Sequence, residues 1–103
     1  MAELGPTALD DLVDSRVDEL KVLARELGLA DENGFFGLSQ RAAQALDKMT
    51  EEPPWDGLAR ELDELGRRWE AASQEERAVM HDRASAIYDE LIAEARRRLA
   101  ALR

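Results

Sequence analysis

The last third of the chain, Ser73 to Leu102, places Met80, Ala84, Ile87, Tyr88, Leu91, Ile92, Ala95, Leu99 and Leu102 three and four residues apart, with no Gly or Pro among them. That spacing lines one face of a 3.6-residue helix. At 1.5 Å per residue such a helix runs to roughly 43 Å. One apolar face of that length cannot stand in water, so everything upstream is constrained to supply its cover.

The upstream chain divides into three shorter helical stretches. Leu9, Leu12, Val13, Val17, Leu20, Leu23, Ala24 and Leu27 form one stripe, which Gly28 can end because glycine tolerates the left-handed conformation. Ser39 can cap a second stretch whose narrow apolar side is Leu38, Ala42, Ala45, Leu46 and Met49, and Pro53-Pro54 stop it. Trp55, Leu58, Leu62, Leu65, Trp69 and Ala72 make a third stripe. Continued in phase, that stripe would run through Glu76, Val79, Arg83, Ala86 and Glu90, mostly polar, whereas the apolar seam restarts out of phase at Met80. Ser73 and Glu76 also match a capping box, so a break near Ser73 is expected rather than one continuous helix with a stutter. The fold class is all-α, a small four-helix bundle with helices at about 7–27, 39–50, 55–72 and 74–102, in one domain spanning 1–103.

Charge sorts the possible partners. Residues 1–64 hold 16 acidic and 6 basic residues, a balance of −10, and residues 65–103 hold 7 and 8, a balance of +1. Phosphate-rich surfaces would be repelled on average, so neither direct nucleic-acid binding nor a membrane partner is expected. Absence of cysteine removes disulfides, thiolate metal ligands and thiol nucleophiles, and suits a cytoplasmic setting. No run of about 18 apolar residues and no basic-then-apolar leader occurs. Twelve of the fourteen basic residues are Arg, a usage expected of a GC-rich bacterial or phage genome.

Three short motifs bear on chemistry. Leu29 to Gln40, with Asn33-Gly34 at its centre, resembles an EF-hand calcium loop, but Leu29 and Gln40 stand where the first and twelfth carboxylates belong, so an interhelical turn is the reading. Trp55-Asp56-Gly57 resembles the Trp-x-Gly turn of the small helical-hairpin proteins exported by type VII secretion, which are acidic, often cysteine-free and of about this length. That resemblance covers three residues and implies a turn between two long helices, followed by a Tyr-x-x-x-Asp/Glu signal. Here Pro53-Pro54 precede the motif and Ile92 stands four residues after Tyr88, so Trp55 is read as a core anchor at a helix start. Glu61-Leu62-Asp63-Glu64 resembles half of the Glu-x-x-Glu, Glu-x-x-Asp magnesium pattern of all-helical nucleotide pyrophosphohydrolases; Ile92 and Ala93, three residues after Asp89 and Glu90, break the other half. His81 has Ala78 three residues before it, where a ferritin-like iron site needs Glu. No catalytic residue, metal or cofactor is expected.

The leading expectation is a non-enzymatic interaction module, an adaptor or regulatory subunit that packs its long C-terminal helix against itself or another protein, and that self-associates. The first helix covers only about 32 Å, leaving Leu99 and Leu102 as surplus apolar surface beside Arg96, Arg97 and Arg98. Leu91 and the adjacent aromatics Phe35 and Phe36 complete the expected contact set. Asp11, Asp14 and Asp18 form an acidic face that suits the alternative, an inhibitor imitating nucleic acid on a DNA-binding protein or nuclease. A magnesium-dependent pyrophosphohydrolase using Glu61 and Glu64 is the second alternative.

Overall fold

The structure is a computed structural model that describes residues 3–34 and 37–103. It contains helices α1 (Ala8–Glu26), α2 (Gln40–Thr50), α3 (Trp55–Trp69) and α4 (Gln74–Ala101), with no strand among the described residues. The expected break between α3 and α4 is present. Ser73 Oγ accepts from Glu76 N at 3.1 Å while Ser73 N donates to Glu76 Oε1 at 3.2 Å, so two free donors at the start of α4 are satisfied reciprocally. α3 ends three residues earlier than the apolar pattern predicts, because Trp69 to Ser73 turn to begin the new helix.

Long α4 is the spine. The molecule measures 44 × 27 × 20 Å, and 28 helical residues rise about 42 Å, so α4 runs its full length. α1, α2 and α3 all pack on α4 and α2 also packs on α3, whereas α1 approaches α2 and α3 only weakly. The ring of helices is therefore open on both sides of α1.

Two buried clusters sit on the spine. The larger joins Leu9 of α1, Met49 of α2, and Leu65 and Trp69 of α3 to Met80, Ala84, Ile87, Leu91 and Ala95 of α4. The smaller gathers Leu23, Ala24, Leu29, Leu38 and Ala42 around Leu99, and Leu46 packs against both. This second cluster overturns the expectation of surplus apolar helix. Leu99 is 0% exposed, Leu91 is 9% exposed, and Leu102 is half-buried against the smaller cluster. Helix lengths alone leave out the α1–α2 connection, which supplies the missing cover. After Leu27, Gly28 adopts φ +72, its N–H reaches Arg25 O at 3.2 Å, and Leu29 N reaches Ala24 O at 2.7 Å. That paired pattern closes the helix and turns the following apolar residue back onto it. Leu29 is thereby turned inward, and Ser39 N donating to Leu29 O at 2.7 Å draws Leu38 in beside it. Arg41 Nη2 donates to Leu102 O at 2.9 Å, tying the tip of α4 to α2.

The same connection explains its glycines and acids. Asp31 Oδ1 accepts from Asn33 N at 2.9 Å, and Asp31 N donates to Gly37 O at 2.9 Å, an ordinary interhelical turn. At Gly34 a Cβ would stand 1.8 Å from Leu38 O, inside any permitted contact with backbone. Gly34→Ala is expected to force the turn open and to cost at least about 2 kcal/mol, read from the urea midpoint. A midpoint equal to wild type would contradict that packing.

The segment before α1 is fixed more firmly than its sequence suggests. Leu4 N donates to Gln74 Oε1 at 2.9 Å, Gln74 Nε2 donates to Leu4 O at 3.0 Å, and Trp69 Nε1 donates to Gly5 O at 3.0 Å. Arg77 completes the clamp. Its guanidinium lies 5.4 Å from the Trp69 ring centroid and donates to Trp69 O, Glu70 O and Leu4 O at 3.0, 3.1 and 2.9 Å. One planar cation thus satisfies carbonyls left free where α3 ends, and binds the leader to them.

Candidate functional site

Because α1 leans on α4 without closing against α3, a cleft runs between α1 and α3 with α4 beneath. One lobe, about 230 Å³, is bounded by Pro6, Leu9, Asp10, Gly66, Trp69 and Glu70. The next lobe, about 380 Å³, is bounded by Leu9, Asp10, Val13, Leu62, Asp63, Gly66, Arg67 and Tyr88. The two share Leu9, Asp10 and Gly66, so they form one continuous trough. Leu9 and Trp69 are almost wholly covered, so the first lobe is polar and apolar in nearly equal measure, whereas the second, with Val13, Leu62 and Tyr88, is mostly apolar; the rims carry Asp10 on one side and Asp63 and Glu70 on the other. Arg67, also on the rim, is engaged by Glu64 at 2.9 Å. Burial and the nearby Asp63 carboxylate push the Tyr88 phenol above its ordinary value, against the smaller opposing effect of Arg16.

Gly66 is the informative residue of this trough. It lies inside α3, where glycine costs about 1 kcal/mol relative to alanine. No turn requires it, and a Cβ built there meets nothing within 4 Å. Among the described residues nothing occupies the space where its side chain would be, as is also the case at Gly57 in the first turn of the same helix. Periodicity alone passed over this position because Gly66 lies beside the stripe from Trp55 to Ala72; the available signal was a glycine four residues after Leu62 in an otherwise strong helix.

A second opening lies on the other side of α1, where Val17, Leu20 and Lys21 face Leu38, Ala43, Leu46, Asp47 and Thr50 across about 210 Å³. It is mostly apolar, with a single base and a single acid at its edges.

The residues singled out from sequence do not assemble into one site. Phe35 and Phe36 lie outside the described residues. Leu91 and Leu99 are internal, as above. The three arginines at the end of α4, expected together in the contact set, have separate surroundings. Arg98 donates to Glu94 Oε2 at 2.8 Å and to Glu52, and lies 5.2 Å from the Trp55 ring centroid, fastening α4 to the junction of α2 and α3. Arg97 donates to Glu94 Oε1 at 2.7 Å, so the carboxylate of Glu94, a residue only 8% exposed, is paired twice. Of the three, Arg96 makes no ion pair among the described residues; it is exposed beside Asp18, Glu19 and Glu26 of α1. Asp11, Asp14 and Asp18 are exposed, and none of them is in an ion pair among the described residues. Arg16 instead bridges α1 to α4 through Asp89; its Nε stands 2.9 Å from Glu19 Oε2 in a geometry that makes no hydrogen bond.

Both carboxylates of the magnesium reading are occupied by guanidinium groups. Glu61 accepts twice from Arg83, once at 2.9 Å, and Glu64 accepts from Arg67. Hydrogen bonding from Arg83 holds the Glu61 carboxyl below its ordinary range, against some desolvation. Among the described residues no group of three or more His, Asp or Glu is placed to hold a metal ion. His81 sits on a shallow surface with Glu3, Gln74 and Asp82. No described helix is long and apolar enough to cross a membrane.

The Glu52–Arg98 pair gives the fold a specific acid sensitivity. Hydrogen bonding from Arg98 holds the Glu52 carboxyl below its ordinary value of 4.5, with desolvation opposing. A depressed carboxylate contributes stability that is complete above its unfolded pKa and is lost as pH falls through its folded one. The stability gap between wild type and Glu52→Gln is therefore expected to be constant at neutral pH and to close as pH drops below 4.5. Urea unfolding at successive pH values reads the gap; one that widens toward acid would reverse the assignment.

Comparison with protein-family models, with curated proteins and with solved structures finds no match for this chain.

Proposed function

We propose that this chain is a non-enzymatic protein-interaction module, an adaptor or regulatory subunit, whose docking surface is the trough between α1 and α3. The observation that carries the reading is the open trough between α1 and α3, where the exposed helical glycine Gly66 stands at the junction of a mixed polar and apolar lobe and a mostly apolar one. Glycine is used where another chain's atoms must come close to the backbone, and apolar clefts between helices are common binding places. The long helix acts here as the platform: it contributes Tyr88 to the trough and holds α1 and α3 apart, while its apolar end is spent on the fold. A cytoplasmic setting suits a cysteine-free chain of this kind.

Gly66→Trp is the direct test, because an indole projecting from an exposed helical position fills the trough without entering the core. Proteins captured from native-host extract on immobilised wild type are expected to be lost on Gly66→Trp, with far-ultraviolet circular dichroism unchanged. Capture that survives the substitution places any partner elsewhere.

The second reading, an acidic inhibitor that occupies a basic nucleic-acid-binding site, is supported by the outward-facing carboxylates Asp11, Asp14 and Asp18. It predicts that reversing all three to Lys abolishes capture while Gly66→Trp leaves it intact, so the same experiment separates the two.

A further inference from the structure

We propose that Asn33–Gly34 is a site of spontaneous deamidation that the α1–α2 turn holds in check, and that its isoaspartyl product cannot be seated in that turn. Asn33 is the only asparagine of the chain, and it is exposed. Gly34 follows it, so no side chain shields the Gly34 nitrogen from the Asn33 amide. In the reaction that nitrogen attacks Asn33 Cγ. An N–Cγ bond forms, the Cγ–Nδ2 bond breaks, and the amide group leaves as ammonia with the proton that Gly34 N gives up. Water then opens the resulting cyclic imide at either carbonyl. One opening yields an aspartate; the other yields isoaspartate, whose main chain runs through Cβ and is longer by one methylene. No group is oxidised or reduced, and water is the only co-reactant.

The turn withholds the attacking atom. Gly34 N donates to Asp31 O at 3.0 Å and Asn33 N donates to Asp31 Oδ1 at 2.9 Å, so two successive amides are directed at Asp31. Gly37 N donates to Gly34 O at 3.1 Å and Asp31 N donates to Gly37 O at 2.9 Å, which closes the connection around them. Intramolecular attack is fast only when the reacting atoms are brought into line near contact distance. A nitrogen bonded toward Asp31 must first be released, so conversion draws on the fraction of molecules whose turn has opened.

The lengthened chain cannot re-enter the turn. A Cβ at Gly34 would already stand 1.8 Å from Leu38 O and 3.3 Å from the Asp31 side chain, so a methylene inserted just before it displaces its neighbours. The isolated bridge between Ala30 and Leu38 and the bond from Ser39 N to Leu29 O belong to the same connection. Through them Leu29 and Leu38 are held in the cluster around Leu99. Conversion at Asn33 is therefore an irreversible covalent release acting on the smaller cluster, and it advances with each opening of the turn.

Peptide mapping by mass spectrometry follows Asn33 in the folded protein and in the protein unfolded in guanidinium chloride, both at mildly alkaline pH. Two products of equal mass, aspartate and isoaspartate, are expected in both, forming at least tenfold more slowly in the folded protein. Isoaspartate arising at Asp56–Gly57 falls on a different peptide and brings no change of mass. Asp31→Ala, which removes the acceptor for Asn33 N, is expected to speed the folded rate at least threefold and to leave the unfolded rate unchanged. The purified isoaspartyl protein is expected to melt below both wild type and Asn33→Asp, the variant that carries the charge without the added methylene. Equal folded and unfolded rates, or a folded Asp31→Ala rate like that of wild type, would show that the turn exerts no control and overturn the inference. An isoaspartyl form that melts with Asn33→Asp, or an unfolded chain that keeps Asn33 intact, would overturn it as well.

Discussion

Leu99→Asp is expected to unfold the protein at every concentration tested. Leu99 is fully buried, and its neighbours Leu23, Ala24, Leu29, Leu38 and Ala42 offer a carboxylate no partner. Losing a buried leucine side chain costs about 2–5 kcal/mol when it is cut to alanine. An unpaired acid in the same space adds a desolvation penalty of several kcal/mol. Against a total stability of about 5–15 kcal/mol for an ordinary domain, that sum removes most or all of the folded population. Leu99→Ala should remain folded, with a lowered urea midpoint. The readout is helical circular dichroism at two protein concentrations tenfold apart. An interface leucine would behave differently: its aspartate variant would stay folded and lose only association. A folded, monomeric Leu99→Asp protein would therefore contradict the burial described here.

Trp69→Ala is the second large effect. Its ring is 4% exposed in the larger cluster, its indole N–H is bonded to Gly5 O, and its face carries the Arg77 guanidinium. Truncating a buried tryptophan costs about 3–5 kcal/mol. The substitution also strands the carbonyl of Gly5 and removes the ring that holds Arg77 flat against three other carbonyls. Trp69→Phe separates these contributions, since it keeps much of the apolar volume and loses only the donor, at about 1–3 kcal/mol. Thermal melts are expected to rank wild type, Trp69→Phe and Trp69→Ala in falling order, with a drop of roughly 12 °C or more for the alanine variant at 4–8 °C per kcal/mol. Arg77→Lys should fall below wild type too, because an ammonium is a single point of charge and cannot span carbonyls from α3 and the leader. Equal melting of Trp69→Phe and wild type would remove the indole–Gly5 bond from the account.

The helices themselves were legible because their signals are local. A capping box at Ser73, a left-handed stop at Gly28, a double proline at 53–54 and a one-residue phase slip are each written within a few positions. Long-range placement was not local, and there the reading failed in a particular way. Helix lengths showed that α1 is too short to cover α4, but the cover came from Leu29 and Leu38 at the two ends of a connection, brought together by a bond between Ser39 and Leu29. Arg98 was expected to face a partner; its partners Glu52 and Trp55 lie over forty residues upstream, and no periodicity announces them. Asp11, Asp14 and Asp18 were readable as outward-facing because an exposed stripe is the complement of a buried one. Gly66 was visible throughout as a poor helix former, yet its meaning depends on empty space that only the arrangement of α1 and α3 defines.

The spine imposes an order of events during synthesis. α4 leaves the ribosome after the three helices that need it, and each of those offers an apolar stripe whose main counterpart is not yet made. Domains ordinarily settle from the N-terminal side as they are translated, but here the bonds that fix the segment before α1 join residues some seventy positions apart and cannot form until the start of α4 is made. The first seventy residues must therefore wait as an exposed, acidic chain. Their concentration of carboxylates, sixteen before Leu65, keeps such chains apart by mutual repulsion until α4 arrives. The front-half charge thus acts on the partly made chain by the same repulsion it exerts from the surface of the folded one, where Asp10, Asp11, Asp14 and Asp18 stand exposed.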